Sequence, residues 1–259
     1  MSEYISQSQE GAILRLTFNR PDKKNAITAD MYGALADGLT EAEGNDTIRA
    51  VLFDSVGDIY TAGNDIGDFM AGGDDRDDPH VTPPVFRFLQ AIATTQKPLV
   101  AAVQGPAVGV GVTMLLHCDL VYASDRATFH APFVDLGLVP EAASSLLLPR
   151  IAGHQRAAEM FLLGRKINAA RAREFGFVNE VVSSDKLAQT AMSAAQSLAA
   201  KAPEALRLSK MLMKSGQAET LEHMQEEGKH FAAQLKSPEF MEAGLAFMQK
   251  RKPDFSNLG

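Results

Sequence analysis

The chain has 259 residues and a single cysteine, Cys118, so no intrachain disulfide can form and a reducing compartment is the expected setting. No apolar run reaches the length needed to cross a bilayer. The opening Met1-Ser2-Glu3-Tyr4 lacks the basic and apolar regions of a secretory signal, and the closing Ser256-Asn257-Leu258-Gly259 is not a Ser-Lys-Leu-type address; a cytoplasmic protein is expected. Basic residues are the minority, 25 against 32 acidic ones for a net charge of −7, which argues against bulk nucleic-acid binding but leaves room for local cations around a small anionic ligand. The six histidines are scattered, with no His-Glu-x-x-His and no Cys/His cluster, so no metal site is expected. The serines lie in no Gly-x-Ser-x-Gly elbow.

What is present is an ordinary globular composition, 46% hydrophobic and 22% charged, in a chain long enough for one or two domains. Residues 12–18 read as an edge-type strand, 28–43 as a helix capped by Thr28, 49–54 as a strand, and 71–79 as a loop. A helix opens at Thr82-Pro83-Pro84 and runs to about 95, with strands at 98–103 and 119–124. Further helices start near Pro140, cover about 153–163, and run from an Asn168 cap to Gly176, before a last strand at 177–182. From Asp185 onward the pattern is helical, broken at Pro203, Gly216 and Pro238. This alternation predicts an α/β core with roughly parallel strands. The helical last third suits packing against another subunit and an intrachain cap equally well.

Three short motifs stand out. Residues 97–111 form an apolar strand running into Gly105-Pro106-Ala107-Val108-Gly109-Val110-Gly111, with the apolar segment 112–116 reading as a helix behind it. Glycines at such a turn let a backbone N–H approach an anionic oxygen. Methionine at 114 rules out a dinucleotide fingerprint, and no Gly-Lys-Ser/Thr follows. Alone, the loop suits tight packing and oxyanion binding equally. A second small-residue turn, Tyr60-Thr61-Ala62-Gly63-Asn64-Asp65-Ile66, follows the 49–54 strand. Two such turns on neighbouring strands can each aim one N–H at a shared point. The third is Leu136-Gly137-Leu138-Val139-Pro140-Glu141-Ala142-Ala143-Ser144-Ser145, where Pro140 fits a first helical position and Glu141 the first turn. Glu141 is either a complement to the helix dipole or a partly buried acid in apolar surroundings. His117 and Cys118 read as core. His130 is not expected to be essential.

With these motifs in this order, the chain resembles the crotonase (enoyl-CoA hydratase/isomerase) superfamily. The resemblance begins at Phe18-Asn19-Arg20-Pro21, runs through Phe177-Val178-Asn179-Glu180-Val181-Val182 and resumes at Phe247-Met248-Gln249-Lys250-Arg251-Lys252-Pro253. It implies a spiral of ββα repeats over 1–196 with the acyl-CoA site, and a helical trimerisation region over 197–259. A homotrimer or dimer of trimers would follow. It implies a thioester oxygen held by the N–H groups of Asn64 and Val110. It also implies coenzyme A lying along Lys23, Lys24, Ala26 and Ile27, with the adenine near Ala62, Gly63, Asp65 and Ile66, and with Phe247 and Lys250 completing the nucleotide pocket. Coenzyme A is then part of the substrate, and no separate cofactor, metal, nucleic acid or membrane is implied.

Against the family pattern, the two glutamates of the hydratases are replaced by Thr113 and Phe133, neither of which can serve as a carboxylate base. Glu141 stands where hydratases usually carry glycine, and in this the chain resembles the peroxisomal-type Δ3,Δ2-enoyl-CoA isomerases. The resemblance therefore implies an isomerase in which Glu141 moves a proton from C2 to C4 of a 3-enoyl-CoA through a dienolate. Phe86, Phe88 and Leu89 are candidates for the acyl pocket or for plain core. The alternatives are a ring isomerase or atypical hydratase on another acyl-CoA, and a non-catalytic acyl-CoA-binding scaffold.

Overall fold

The computed structural model describes residues 2–65, 67–68 and 82–258. Ile66 and the proposed loop at 71–79 lie outside the described residues. A six-stranded sheet runs in the order β1-β2-β3-β4-β6-β9, formed by β1 (Ile5–Glu10), β2 (Ile13–Phe18), β3 (Ala50–Ser55), β4 (Leu99–Val103), β6 (Leu120–Ser124) and β9 (Glu180–Val182). Among the described residues of this sheet only the β1–β2 pair is antiparallel; its other pairs are parallel. A second sheet joins β5 (Ala107–Val108), β7 (Thr128–His130) and β8 (Ile167–Asn168).

Alternation along the strands splits the core in two. Leu14, Leu16 and Phe18 of β2, with Val51 and Phe53 of β3, face the large inner core. Ile13, Leu52, Val100 and Ala102 face the other way, where α7 (Ser184–Ala199) covers them with a Leu187, Ala191 and Ala195 stripe at four-residue spacing. Both faces of these strands are buried, which is why they read as near-continuous apolar runs. On the inner side α1 (Ala29–Gly44) packs against α2 (Pro84–Thr94). The chain continues through α3 (Val110–Thr113), a 3₁₀ turn (Met114–His117), α4 (Ser144–Ala152), α5 (His154–Phe161) and α6 (Ala169–Phe175). The helical last third comprises α8 (Pro203–Met213), α9 (Gln217–Gln234) and α10 (Pro238–Met248).

Two expectations are corrected. The strand at 12–18 is not an edge: β1, whose residues after Ile5 are all exposed, takes the edge and leaves β2 inside. No helix begins at Pro140. Glu141 precedes α4, and Ala142 and Ala143 both adopt left-handed backbone, φ +61° and +54°. The expected caps are in place: Thr28 Oγ1 accepts from Met31 N–H, and Asn168 Oδ1 accepts from Arg171 N–H at 2.9 Å ahead of a left-handed Gly176.

Candidate active site

The two small-residue turns are zipped together. Tyr60 N–H donates to Pro106 O at 3.0 Å and Val108 N–H to Thr61 O at 3.0 Å, with Thr61 and Ala107 forming a parallel bridge. Gly63 sits against this seam at φ +86°, and a Cβ there would lie 2.9 Å from Val108 O, so both the backbone angle and the close approach require glycine. On its other side the 60–65 turn bridges Ile27: Ile27 N–H donates to Gly63 O at 2.8 Å and Asp65 N–H to Ile27 O at 2.9 Å. The Asn64 N–H between them points away from that bridge. Gly109, at φ +55°, is the cap of α3, and its carbonyl accepts from Val112 and Thr113 N–H at 2.8 and 3.1 Å. Val110 is therefore the first helical residue, whose N–H has no partner within the helix. Among the described residues no acceptor takes the N–H of Asn64 or of Val110.

The segment before α1 is tied to the same turn. Ala62 N–H donates to Lys24 O at 3.0 Å, and Arg20 Nη1 reaches Asp65 Oδ2 at 2.6 Å and Ala26 O at 3.0 Å. Lys24 and Asn25 take left-handed backbone, and the fully buried Asn25 side chain fixes the bend, accepting from Arg20 N–H and donating to Val56 O and Ile59 O. Lys23, Lys24, Ala26 and Ile27 thus lie along one side of Ala62, Gly63 and Asp65, with both lysines exposed. The Asp65 carboxylate is engaged by Arg20 and by Asp68 N–H, and the Arg20 bond holds it below the usual carboxylate range.

Glu141 is buried, 9% exposed. Burial pushes its carboxyl up to about 7, against the hydrogen bond donated by Thr113 Oγ1 and with a further push from the charge of Glu227. Thr113 stands one turn after Val110, so the third motif and the glycine loop meet in one place. Tyr32 joins them: its buried hydroxyl donates to Asn64 Oδ1, and its phenol is raised well above the usual range first by burial and then by the Glu141 charge. Sequence reasoning did not single out Tyr32, which lies on the buried stripe of α1 like any core residue.

The turn that carries Glu141 is held from both sides. His117 Nε2 lies 2.7 Å from Ala142 O. Glu227 of α9 accepts from Ser145 N–H at 2.9 Å and from Ser145 Oγ at 2.5 Å. Phe133 is core, its ring 6.1 Å from Phe161. Phe88 and Leu89 are core as well, whereas Phe86 is half exposed beside Gly228. His130 binds Gly164 O through its ring at 3.0 Å and accepts from Gly109 N–H through its carbonyl at 2.8 Å, a scaffold position. Phe247 and Lys250 lie at the far end of α10, with Phe247 62% exposed; among the described residues no hydrogen bond or ion pair joins either to the 20–27 segment. Among the described residues no cluster of three His, Cys, Asp or Glu side chains could hold a metal ion.

Unpartnered N–H groups on two bridged turns, with a buried carboxylate bonded to Thr113 one turn along, suit proton transfer next to a carbonyl whose oxygen gains charge. The family model for enoyl-CoA hydratase/isomerase matches residues 8–257. The chain belongs to this family. Its sequence is 40% identical over 255 residues to enoyl-CoA delta isomerase 2 of Rattus norvegicus, covering 97% of the chain but only 65% of the rat protein. It is 34% identical to 1,2-epoxyphenylacetyl-CoA isomerase of Escherichia coli (strain K12), covering 99% of both. Among solved structures, the enoyl-CoA hydratase/isomerase from Pseudoalteromonas atlantica superposes with a TM-score of 0.93 at 45% identity, covering 98% of this chain and 100% of that one. The crotonase-type α/β fold expected from the motifs is the fold observed.

Proposed function

We propose that this chain is an enoyl-CoA isomerase that shifts the double bond of a 3-enoyl-CoA into conjugation with the thioester. The observation that carries the reading is Glu141: a buried carboxyl raised to about 7, bonded to Thr113 and set where the two turns meet, with Thr113 and Phe133 at the positions where hydratases carry acids. A base whose pKa lies near the working pH combines a usable basic fraction with proton affinity. Glu141 takes the C2 proton, the negative charge moves onto the thioester oxygen between the N–H groups of Asn64 and Val110, and the proton returns at C4. Nothing is added or lost, so one carboxylate suffices. The similarity to delta isomerases supports the same reaction.

In this reading coenzyme A lies along Lys23, Lys24, Ala26 and Ile27, against Ala62, Gly63 and Asp65, and is part of the substrate rather than a cofactor. Phe247 and Lys250 would reach the nucleotide of a neighbouring subunit. The apolar side chains that α8 and α10 leave exposed, among them Met211, Leu212, Met241 and Met248, support assembly as a homotrimer or dimer of trimers. Among the described residues no helix is long and apolar enough to cross a membrane, and the lone cysteine suits a cytoplasmic location. The deciding experiment incubates the protein with a 3-enoyl-CoA and follows absorbance of the conjugated thioester. The wild type should convert it and Glu141→Gln should not, while still binding acyl-CoA; full activity in the variant would sink the assignment. A second reading, ring isomerisation, is favoured by the end-to-end similarity to the Escherichia coli epoxide isomerase. Turnover of an aryl epoxide thioester in place of the 3-enoyl substrate would select it.

A further inference from the structure

Glu227 is a buried carboxylate from the helical last third whose hydrogen-bond partners all belong to the turn that carries Glu141. It is 6% exposed, and Oε1 accepts from Ser145 N–H and Ser145 Oγ while Oε2 has no partner among the described residues. Ser145 spends its only proton on Glu227, so the 2.7 Å contact between Ser145 Oγ and His223 Nε2 runs from the imidazole N–H to the hydroxyl oxygen. That pattern excludes Ser145 as a His-activated nucleophile and makes the cluster an anion cradle. The turn itself is strained: two consecutive alanines in the left-handed region are disfavoured and persist only where the surroundings over-determine them. The N–H of Ser145, two residues beyond Ala143, is fixed by Glu227.

We propose that Glu227 is a positioning residue for Glu141, locking the left-handed turn through the main-chain N–H and the hydroxyl of Ser145 and placing a negative charge behind the base. The inference rests on reading Glu141 as the base. The groups facing the pair are Thr113 from α3, His117 from the 3₁₀ turn, Tyr32 from α1, and Ser145 and His223 on the Glu227 side. His223 Nε2 lies 3.6 Å from Glu227 Oε1.

The test is a ¹³C NMR titration of protein labelled at the glutamate carboxyl, with the Glu141 resonance identified by its loss in Glu141→Gln. Glu227→Gln keeps an acceptor for the main chain and removes the charge; the Glu141 midpoint should fall by about 0.5–1 pH unit, the scale of one facing like charge across a partly screened gap. A folded Glu227→Gln protein with an unmoved midpoint overturns the proposal. Should that variant not fold, Ser145→Ala serves: with one donor lost, Glu227 holds its proton more tightly and the Glu141 midpoint should again fall, and no movement is again fatal. Glu227→Ala also removes the clamp, and kcat for the double-bond shift should drop by about 10²-fold with KM unchanged. Equal losses in kcat/KM and in thermal stability, with KM raised, would mark a merely structural residue. The titration needs no turnover, so an inactive wild type defeats the isomerase reading alone, and an unmoved midpoint defeats the Glu227 assignment alone.

Discussion

His117 donates its Nε2–H to the carbonyl of Ala142 across 2.7 Å, and so fixes the residue that follows Glu141. A carbonyl can only accept, so the ring carries its proton on Nε2. Burial pushes the imidazole down to about 4, so it stays neutral at working pH and its bond does not switch off. His117→Leu leaves a buried carbonyl short of a partner. We expect a loss of about 1–3 kcal/mol in urea unfolding and a fall in kcat with acyl-CoA affinity retained. His117→Gln, which keeps a donor, should regain part of both. An unchanged kcat in the leucine variant would contradict the role.

His117 and Glu141 tilt stability against pH in opposite senses. Glu141 binds its proton more tightly folded than unfolded, so its contribution is complete below about 4.5 and is lost as pH rises through about 7, about 3 kcal/mol in all. His117 binds its proton less tightly folded, so its contribution is complete above 6.5 and is lost as pH falls through about 4, a similar amount. Between 4.5 and 6.5 the two slopes cancel, and above that window the Glu141 slope is left alone. Glu141→Gln should therefore unfold at higher denaturant than the wild type at pH 8 and close to it at pH 4. Equal midpoints at pH 8 would show that Glu141 is not held with a raised pKa.

The rate should carry the same signature. If Glu141 is the base of the proposed double-bond shift it must be ionised to act, so kcat/KM should rise with pH through about 7 and level off. Thr113→Val deletes the hydrogen bond that favours the carboxylate form while keeping the side chain's size. The rising limb should move to higher pH and the alkaline plateau should change little, as read from a pH–rate profile on a 3-enoyl-CoA.

Val110 offers a way to remove one donor from the turn without disturbing the helix. As the first residue of α3 it stands where proline is tolerated, and Gly109 ahead of it, at φ +55° and ψ −119°, is not in the region that proline forbids its predecessor. Val110→Pro erases the N–H. If that group holds the thioester oxygen, kcat should fall by about 10²- to 10³-fold with circular dichroism unchanged; a loss below about threefold would remove Val110 from the mechanism.

Elements with local signals were readable. The Thr28 and Asn168 caps, the Gly176 stop and the apolar runs of β2, β3, β4 and β6 are all written within a few neighbouring residues. β1 was not, because Ile5 is its only buried side chain, and β5 and β8 are two residues long, too short for any period. Pro140 misled for a different reason. It carries a sound signal for a helix start, but His117 and Glu227, 25 residues before Ala142 and 82 after Ser145, hold the chain in another conformation. The same distances explain the site. Asn64, Val110 and Glu141 announce themselves through their own turns, whereas Tyr32, Thr113, His117 and Glu227 matter only through partners that the fold brings near.

The reach of α9 back to the 141–145 turn also bears on when the site becomes competent. Ser145 and Glu227 are 82 residues apart, a stretch a ribosome needs about 4–16 s to add at about 5–20 residues per second. Throughout that interval both small-residue turns and Glu141 itself have already been made, yet the turn bearing Glu141 lacks one of its two holds. Competence thus arrives late in synthesis, and a chain stopped before α9 would carry the whole sheet and every proposed reacting group without the turn locked in place.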